Sequence, residues 1–165
     1  MKTLFFLVIT LCLLSCNPND QPTNEAMSIS SNIDLIIKNN LGQDLLSTLT
    51  PNTLNSNDIK LYYLINGQVQ EVYNANLNNP RNYLIYDYIN TKAISVFLND
   101  QSTEEYPIAY LKWNNTDTDT IKCHFNRGVG NDGAIIFCDK VWYNNKLVYP
   151  TAENRNTGRF ISLIK

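Results

Sequence analysis

The chain has 165 residues, a formal net charge of −2 and a sequence pI of about 5.3. This length suits one domain, and the acidic balance argues against nucleic acid or an anionic membrane surface as the partner, because both bind basic patches. Apolar residues make up 44% of the chain and aromatic residues 11%, which supplies a packed core and excludes a disordered chain.

The first fifteen residues predict an export signal. Lys2 supplies a positive start, and residues 4–14 are apolar apart from Thr10. A helix of this length spans about 16 Å, which is too short for a bilayer core of about 30 Å. The run therefore indicates the core of a signal peptide, and no later run predicts a transmembrane helix.

The apolar run ends in Leu13-Leu14-Ser15-Cys16. This tetrad resembles the lipobox of bacterial lipoproteins, in which two apolar residues and a small one precede the acceptor cysteine. The resemblance implies that the signal is cut before Cys16, that the Cys16 sulfur is lipidated, and that in Gram-negative members an acyl chain such as palmitate is added to the new amino group. Two or three acyl chains hold a protein on a membrane far better than one. The alternative is an ordinary secretory signal with a chance cysteine.

The residues after Cys16 predict where the protein is held and how. Asn17, and not aspartate, follows the cysteine, which disfavours inner-membrane retention by the rule that this class follows in some bacteria. We therefore expect an exported protein that is lipid-anchored in the outer membrane, on either its periplasmic or its surface face. Residues 16–32 contain two prolines and no apolar periodicity, which predicts a flexible tether before a single β domain at residues 33–165.

From Ile33 onward, short alternating segments with turn residues between them predict β-strands. Asn66-Gly67 is typical of the turn of a tight hairpin, and residues 44–49 are the best candidate for a helical turn. The pattern predicts an all-β antiparallel sandwich, immunoglobulin-like or transthyretin-like, with a small β-barrel as the alternative. The predicted strands lie within residues 33–39, 59–73, 82–89, 92–99, 106–114, 119–126, 134–144, 146–150 and 159–164.

A second resemblance covers much of the predicted β domain. It rests on residues 40–74, which contain a Gly-x-Asp-Leu-Leu element, on "DTIKC" and on "KVWYNNKLVY". These segments are similar to small uncharacterised lipoproteins of Bacteroidota-type bacteria. The resemblance implies a secreted β domain and brings no activity or functional residues with it.

Cys123 and Cys138 predict a disulfide in a hairpin centred on Gly130-Asn131. Exported proteins meet an oxidising compartment, and a closed loop of this size contributes on the order of 3 kcal/mol. A hairpin centred there places the two cysteines opposite each other. It also places two further pairs face to face, Lys122 with Asp139 and Phe125 with Ile136.

A metal site and an active site are both weakly supported by the sequence. His124 is the single histidine and lies next to Cys123, and neighbouring strand residues point to opposite faces, so we predict a surface histidine opposite Phe137 and no metal or cofactor. Asp117 and Asp119 are the alternative, as calcium ligands. Thr120 follows in a short motif that resembles an O-glycosylation acceptor of some bacteria.

Catalysis needs a nucleophile with a base, or paired carboxylates. Nothing in the sequence favours a pair among Asp58, Asp87 and Glu104, so we predict no enzyme and no catalytic residues.

Tyrosines are the best candidates for ligand binding. Tyr86 and Tyr88 share one face of their predicted strand. Tyr62 lies on the outward face of its own strand, whose other face is apolar. Exposed aromatic rings beside asparagine suit a sugar or peptide surface, whereas cross-strand tyrosine pairs are the alternative. We therefore expect a non-catalytic module that binds a glycan, a peptide or a protein, or else an assembly accessory. A concave pocket of tyrosine and asparagine would favour binding, and an apolar patch or bare strand edge would favour assembly.

Overall fold

The computed structural model describes residues 27–130, 133–156 and 158–165. Regular structure within these ranges consists of β-strands, and none of the described residues forms a helix that is long and apolar enough to cross a membrane. The strands are β1 (Ser28–Ser30), β2 (Asn32–Lys38), β3 (Lys60–Ile65), β4 (Gln68–Glu71), β5 (Tyr83–Tyr88), β6 (Thr91–Phe97), β7 (Ile108–Lys112), β8 (Thr118–Gly130), β9 (Gly133–Tyr143), β10 (Lys146–Tyr149) and β11 (Phe160–Ile164).

The strands form two sheets that pack as a sandwich, as the sequence predicted. Sheet A has the order β1-β9-β8-β7-β3-β4, with β10 also paired to β9, and sheet B has the order β11-β2-β6-β5. Neither order closes on itself, so the barrel alternative is wrong. The expectation of purely antiparallel sheets is also wrong, because β1 pairs with β9 and β11 pairs with β2 in parallel.

Strict alternation of apolar residues produces the core between the sheets. Ile33, Leu35 and Ile37 of β2 are fully buried, while the residues between them are half-buried. Asn66 and Gly67 both have positive φ and join β3 to β4, as predicted for this hairpin. The largest fully buried side chains are Trp113, Ile33, Leu35, Ile37, Ile59, Leu61, Ile94, Leu111, Ile121, Val96, Val141 and Cys123.

One predicted boundary and one predicted local conformation differ from the structure. The predicted tether extends to residue 32, but Ser28–Ser30 already pairs with β9, so the folded part begins earlier. These residues lack apolar alternation, and they form a strand by pairing with β9, which lies far along the chain. The segment at residues 44–49 forms successive turns and no helix, because Asp44 Oδ1 accepts a hydrogen bond from the Leu46 amide at 2.8 Å.

The predicted register of the β8–β9 hairpin is wrong. Phe125 pairs with Cys138, and Cys123 pairs with Val141. The hairpin closes between Gly130 and Gly133, further along than predicted, and a bulge near His124 adds a residue to β9. The predicted pairs Lys122 with Asp139 and Phe125 with Ile136 are wrong for the same reason, and His124 lies opposite Lys140 instead of Phe137.

The two cysteines are buried neighbours despite this register. Both are free thiols in the structure. The hydrogen bond between the two side chains and burial raise the pKa of Cys123, and the same hydrogen bond lowers the pKa of Cys138. The disulfide therefore stays a prediction, in a diagonal geometry that differs from the directly opposed one expected.

Arg159 connects four strands at the place where the described chain enters the sandwich. Its Nε donates to the Asn32 carbonyl at 2.7 Å and its Nη1 to the Cys138 carbonyl at 3.1 Å. Its Nη2 donates to Ser30 Oγ, and its own carbonyl accepts from the Asp34 amide at 3.0 Å. One guanidinium just before β11 thus ties β1 and β2 to β9.

Candidate functional site

The three tyrosines predicted to bind a ligand do not lie together. Tyr62 is on the outer face of sheet A, directly opposite Tyr110 of β7. Tyr86 and Tyr88 are on the outer face of sheet B, where Tyr88 stacks on Phe160 with ring centroids 4.6 Å apart. No single site can therefore use all three.

A different set of residues forms a concave pocket at the boundary between the two sheets. The cavity measures about 400 Å³, which is within the usual range for small-molecule sites. We call it the Tyr–Asn pocket. It is lined by Ser56, Asn57, Tyr73, Asn78, Asn79, Pro80, Arg81 and Tyr83.

Two segments build the Tyr–Asn pocket, one before β3 and one between β4 and β5. Tyr83 begins β5, and its hydroxyl donates to the Ser56 carbonyl at 2.8 Å and to the Ile59 carbonyl at 3.2 Å. Arg81 donates from Nη1 to the Asn57 carbonyl at 2.7 Å and to the same Ile59 carbonyl at 2.9 Å. These four bonds hold the two segments together and fix the floor of the pocket.

Asparagine shapes the longer segment, residues 72–82. Asn74 Oδ1 accepts from the Asn76 amide at 3.0 Å, and the Asn74 amide donates to the Pro80 carbonyl at 2.7 Å. Asn82 adopts a positive φ, which asparagine tolerates better than most residues. The loop is therefore closed by its own hydrogen bonds, and Asn78 and Asn79 line the cavity.

The exposed groups of the pocket are an aromatic ring, amides and one cation. Tyr73 is 62% exposed, so its ring is open to a ligand. Arg81 has no ion pair with any described carboxylate, and its Nε and Nη2 make no hydrogen bond to the described residues. No described aspartate or glutamate lines the cavity. The aromatic ring can stack on the flat face of a ligand ring, the amides can hydrogen-bond hydroxyl groups, and the guanidinium can bind an anion.

Two other grooves contain the tyrosines that the sequence predicted. A groove of about 350 Å³ on sheet A is lined by Tyr62 with Tyr110 and Lys112, and one of about 460 Å³ beside β10 is lined by Tyr88 with Phe160. Tyr88 already uses its ring face against Phe160, and Tyr86 donates its hydroxyl to Asp34 at 2.9 Å. Burial and this bond raise the pKa of Tyr86.

Asp119, one of the two residues of the calcium alternative, belongs to an internal network of hydrogen bonds. Its Oδ2 accepts from Trp113 Nε1 at 2.6 Å, from Lys165 Nζ at 2.6 Å and from the Tyr143 hydroxyl. Its Oδ1 accepts from Asn144 Nδ2 at 2.7 Å. Burial alone would raise the pKa of Asp119, but these four hydrogen bonds together lower it. Lys165 also binds both oxygens of Asp117 at 2.8 Å, so one ammonium contacts both carboxylates.

The other carboxylates do not assemble into a pair. Asp87 binds Lys92 at 2.6 Å, and Asp58 and Glu104 are exposed residues in separate loops. His124 Nδ1 lies 2.5 Å from Asp139 Oδ1. Residues 27–130, 133–156 and 158–165 contain no group of three or more histidine, cysteine, aspartate or glutamate side chains that could hold a metal ion.

The predicted lipidation site, Cys16, lies outside the described residues. Comparison with protein-family models, with curated proteins and with solved structures gives no match for the chain.

Sequence reasoning missed the residues that line the Tyr–Asn pocket, above all Tyr73 and Arg81. One signal could have found them. The segment between β4 and β5 spans residues 72–82, whereas hairpin loops usually have two to five residues, and unusually long loops are often functional. At the end of this loop, "NNPRN" combines amides with Arg81, the single charged residue of the loop.

Proposed function

We propose that the protein is a lipid-anchored, non-catalytic binding module of the bacterial envelope, which takes a saccharide in the Tyr–Asn pocket. The anchor is the lipid on Cys16, which the lipobox resemblance supports. The outer membrane is the proposed location, supported by Asn17 after the cysteine. No cofactor takes part in this function.

One observation carries the proposal, namely the concave cavity that combines tyrosine and asparagine. Its open ring, Tyr73, can cover a sugar face, and Asn78 and Asn79 present amides that donate to and accept from hydroxyl groups. Backbone carbonyls fix Arg81 and Tyr83 beforehand, so little side-chain freedom is lost when a ligand binds. These features support binding, and the pairing of Asp119 with Lys165 gives no support to catalysis.

Glycan-array binding followed by calorimetry tests the proposal. We expect the protein to bind one class of oligosaccharide, and Tyr73→Ala to weaken that binding about two- to tenfold, because a lost aromatic contact is worth about 0.5–1.5 kcal/mol. Tyr106→Ala is the matched control, since Tyr106 is also exposed but lies by His124 and Trp142 on sheet A. Equal losses for the two variants, or a loss only in Tyr62→Ala, would place binding outside the pocket.

The assembly accessory remains a second candidate because sheet B has an apolar outer face. Leu84 is 44% exposed and Ile164 is 73% exposed, and the rings of Tyr88 and Phe160 lie on the same face. A photo-crosslinking residue at position 84 would capture a partner envelope protein in cells if this face is covered. Position 69, an exposed valine on sheet A, is the control, and equal capture at both positions argues against the accessory role.

A further inference from the structure

The charge of the Tyr–Asn pocket narrows the class of saccharide that it can take. We infer that the ligand is an acidic sugar, a uronate, whose carboxylate binds Arg81 while Tyr73 contacts the sugar ring. This inference rests on the proposed function and specifies its ligand.

The first argument is that Arg81 is held but not neutralised. Both bonds from Nη1 go to neutral backbone carbonyls, Asn57 at 2.7 Å and Ile59 at 2.9 Å. None of the described acidic side chains lies within ion-pair distance of the guanidinium. Buried or half-buried cations are normally paired, because a desolvated charge without a partner is costly. A half-buried guanidinium with its Nε and Nη2 unused is therefore suited to an anion from outside the protein.

The second argument is the number of charges. Arg81 is the single charged residue among the described lining residues, so the pocket offers one positive charge. A carboxylate matches it with one negative charge and with two oxygens that fit the donor fork of a guanidinium. A phosphate monoester would bring about 1.5 to 2 negative charges against that single cation. The charge balance favours a carboxylate.

The third argument concerns what carries the carboxylate. An acidic peptide is the competing carrier, and peptide sites use aliphatic side-chain pockets or a sheet edge that adds a strand. The described lining contains no aliphatic side chain apart from the ring of Pro80, and it consists mainly of amides and tyrosine. Ring faces beside amides suit a hydroxylated ring, so we assign a sugar carboxylate.

Ligand chemistry gives the sharpest test, because it leaves the protein unchanged. Short oligosaccharides of galacturonic and glucuronic acid are titrated by calorimetry beside their carboxyl-reduced counterparts, which keep the same rings and linkages. We expect the acidic forms to bind at least about tenfold more tightly, and added salt to narrow the difference, as it does for partly exposed charges.

Variants then locate the charge recognition. Arg81→Lys keeps the positive charge but loses the paired donors of the guanidinium, so the preference for the acidic oligosaccharide should shrink. Arg81→Gln loses both the charge and the paired donors, so the preference should vanish. Lys112→Gln, in the sheet A groove, is the control and should keep the preference. Urea unfolding of each variant checks that the loop bonds of Arg81 are not needed for folding. If Arg81→Gln fails to fold, the comparison of the two ligands on the unaltered protein still decides the matter.

The outcomes separate this inference from the proposed function. Equal affinity for acidic and reduced oligosaccharides, lost in Tyr73→Ala, overturns the inference and leaves saccharide binding in place. A preference that persists in Arg81→Gln overturns the inference, because the carboxylate is then bound elsewhere. Tighter binding of an acidic peptide than of the uronates overturns the sugar assignment, and failure to bind any saccharide overturns both proposals.

Discussion

Replacing Asp119 by asparagine should destabilise the protein strongly, although the two side chains have almost the same shape. The carboxylate accepts four hydrogen bonds, and Trp113 and Tyr143, two of the donors, are buried. Asn144 is the donor to Oδ1, while the other donors point to Oδ2. An amide has one oxygen and one NH₂ group, so the NH₂ group of asparagine must face at least one of the four donors, and that donor loses its acceptor.

The structure gives the size of the effect. A donor of this network left unsatisfied, whether Asn144 or the donors to Oδ2, costs about 1–3 kcal/mol, and Lys165 also loses one of its two carboxylates. We expect a total loss of about 3 kcal/mol of unfolding free energy, at the low end of the range for breaking a buried ion pair. Asp117→Asn removes the other partner of Lys165, but the Asp117 side chain is 37% exposed against 8% for Asp119. Asp117→Asn should therefore lower the unfolding free energy by about 0–1 kcal/mol.

Urea unfolding followed by tryptophan fluorescence measures both variants, and Trp113 reports on the network directly. With an m-value of about 2 kcal/mol/M, the midpoint of Asp119→Asn should fall by about 1.5 M. The difference in unfolding free energy between Asp119→Asn and the unaltered protein should become smaller in acid. Because the network lowers the folded-state pKa of Asp119 below its ordinary value of 3.8, the contribution is complete above pH 3.8 and is lost as the pH falls through the folded-state value.

Two results would refute this reasoning. The first is an Asp119→Asn variant that is no less stable than Asp117→Asn, since the buried carboxylate would then contribute no more to the unfolding free energy than the exposed one. The second is a stability difference that persists unchanged in acid, because the protonated carboxyl group should resemble the amide.

Three further predictions concern other parts of the fold. Ile89 is 83% exposed and has a φ of 51° in the two-residue turn between β5 and β6. Ile89→Gly should stabilise the protein by about 0.5–1 kcal/mol. The change removes a left-handed strain of about 1–2 kcal/mol, but glycine loses more conformational entropy on folding, which offsets part of the gain. Asn90→Gly, where φ is not positive, should give no gain, and equal effects at the two positions would contradict the reasoning. Non-reducing mass spectrometry of the exported protein should find Cys123 bonded to Cys138, and two free thiols would disprove the bridge. Burial raises the pKa of Tyr63 to about 12, so its contribution to stability should be complete below pH 10.0 and decline towards pH 12; Tyr63→Phe should show less alkaline loss, and an equal loss would point to other groups.

The sequence predicted the strands because their signals are local. The alternation of Ile33, Leu35 and Ile37 and the turn at Asn66-Gly67 each involve a few neighbouring residues, and both are present in the structure. The class of fold followed from the number and spacing of such segments. What failed was the pairing of distant segments, such as β1 with β9 and β11 with β2. No local pattern specifies a parallel neighbour that lies far along the chain.

The Tyr–Asn pocket was not predicted because hydrogen bonds between distant segments create it. Arg81 and Tyr83 become pocket residues only when they reach the carbonyls of Asn57 and Ile59. The alternation rule selected Tyr62 and Tyr86 correctly as outward-facing, but it does not say what lies over an outer face or how far apart two faces are. The later position of the hairpin turn and a bulge near His124 likewise changed the cysteine register, and neither has a local signal in the sequence.

Arg159 gives the fold a particular response to pulling. If the protein is held to a membrane at Cys16 and to a polysaccharide at its pocket, tension enters the sandwich at β1, the short strand at Ser28–Ser30. A strand of this length alone would peel away under a small load. The guanidinium contacts of Arg159 on Ser30, Asn32 and Cys138 spread that load over β1, β2 and β9 together. Arg159→Ala should therefore lower the force at which β1 detaches far more than it lowers resistance to urea.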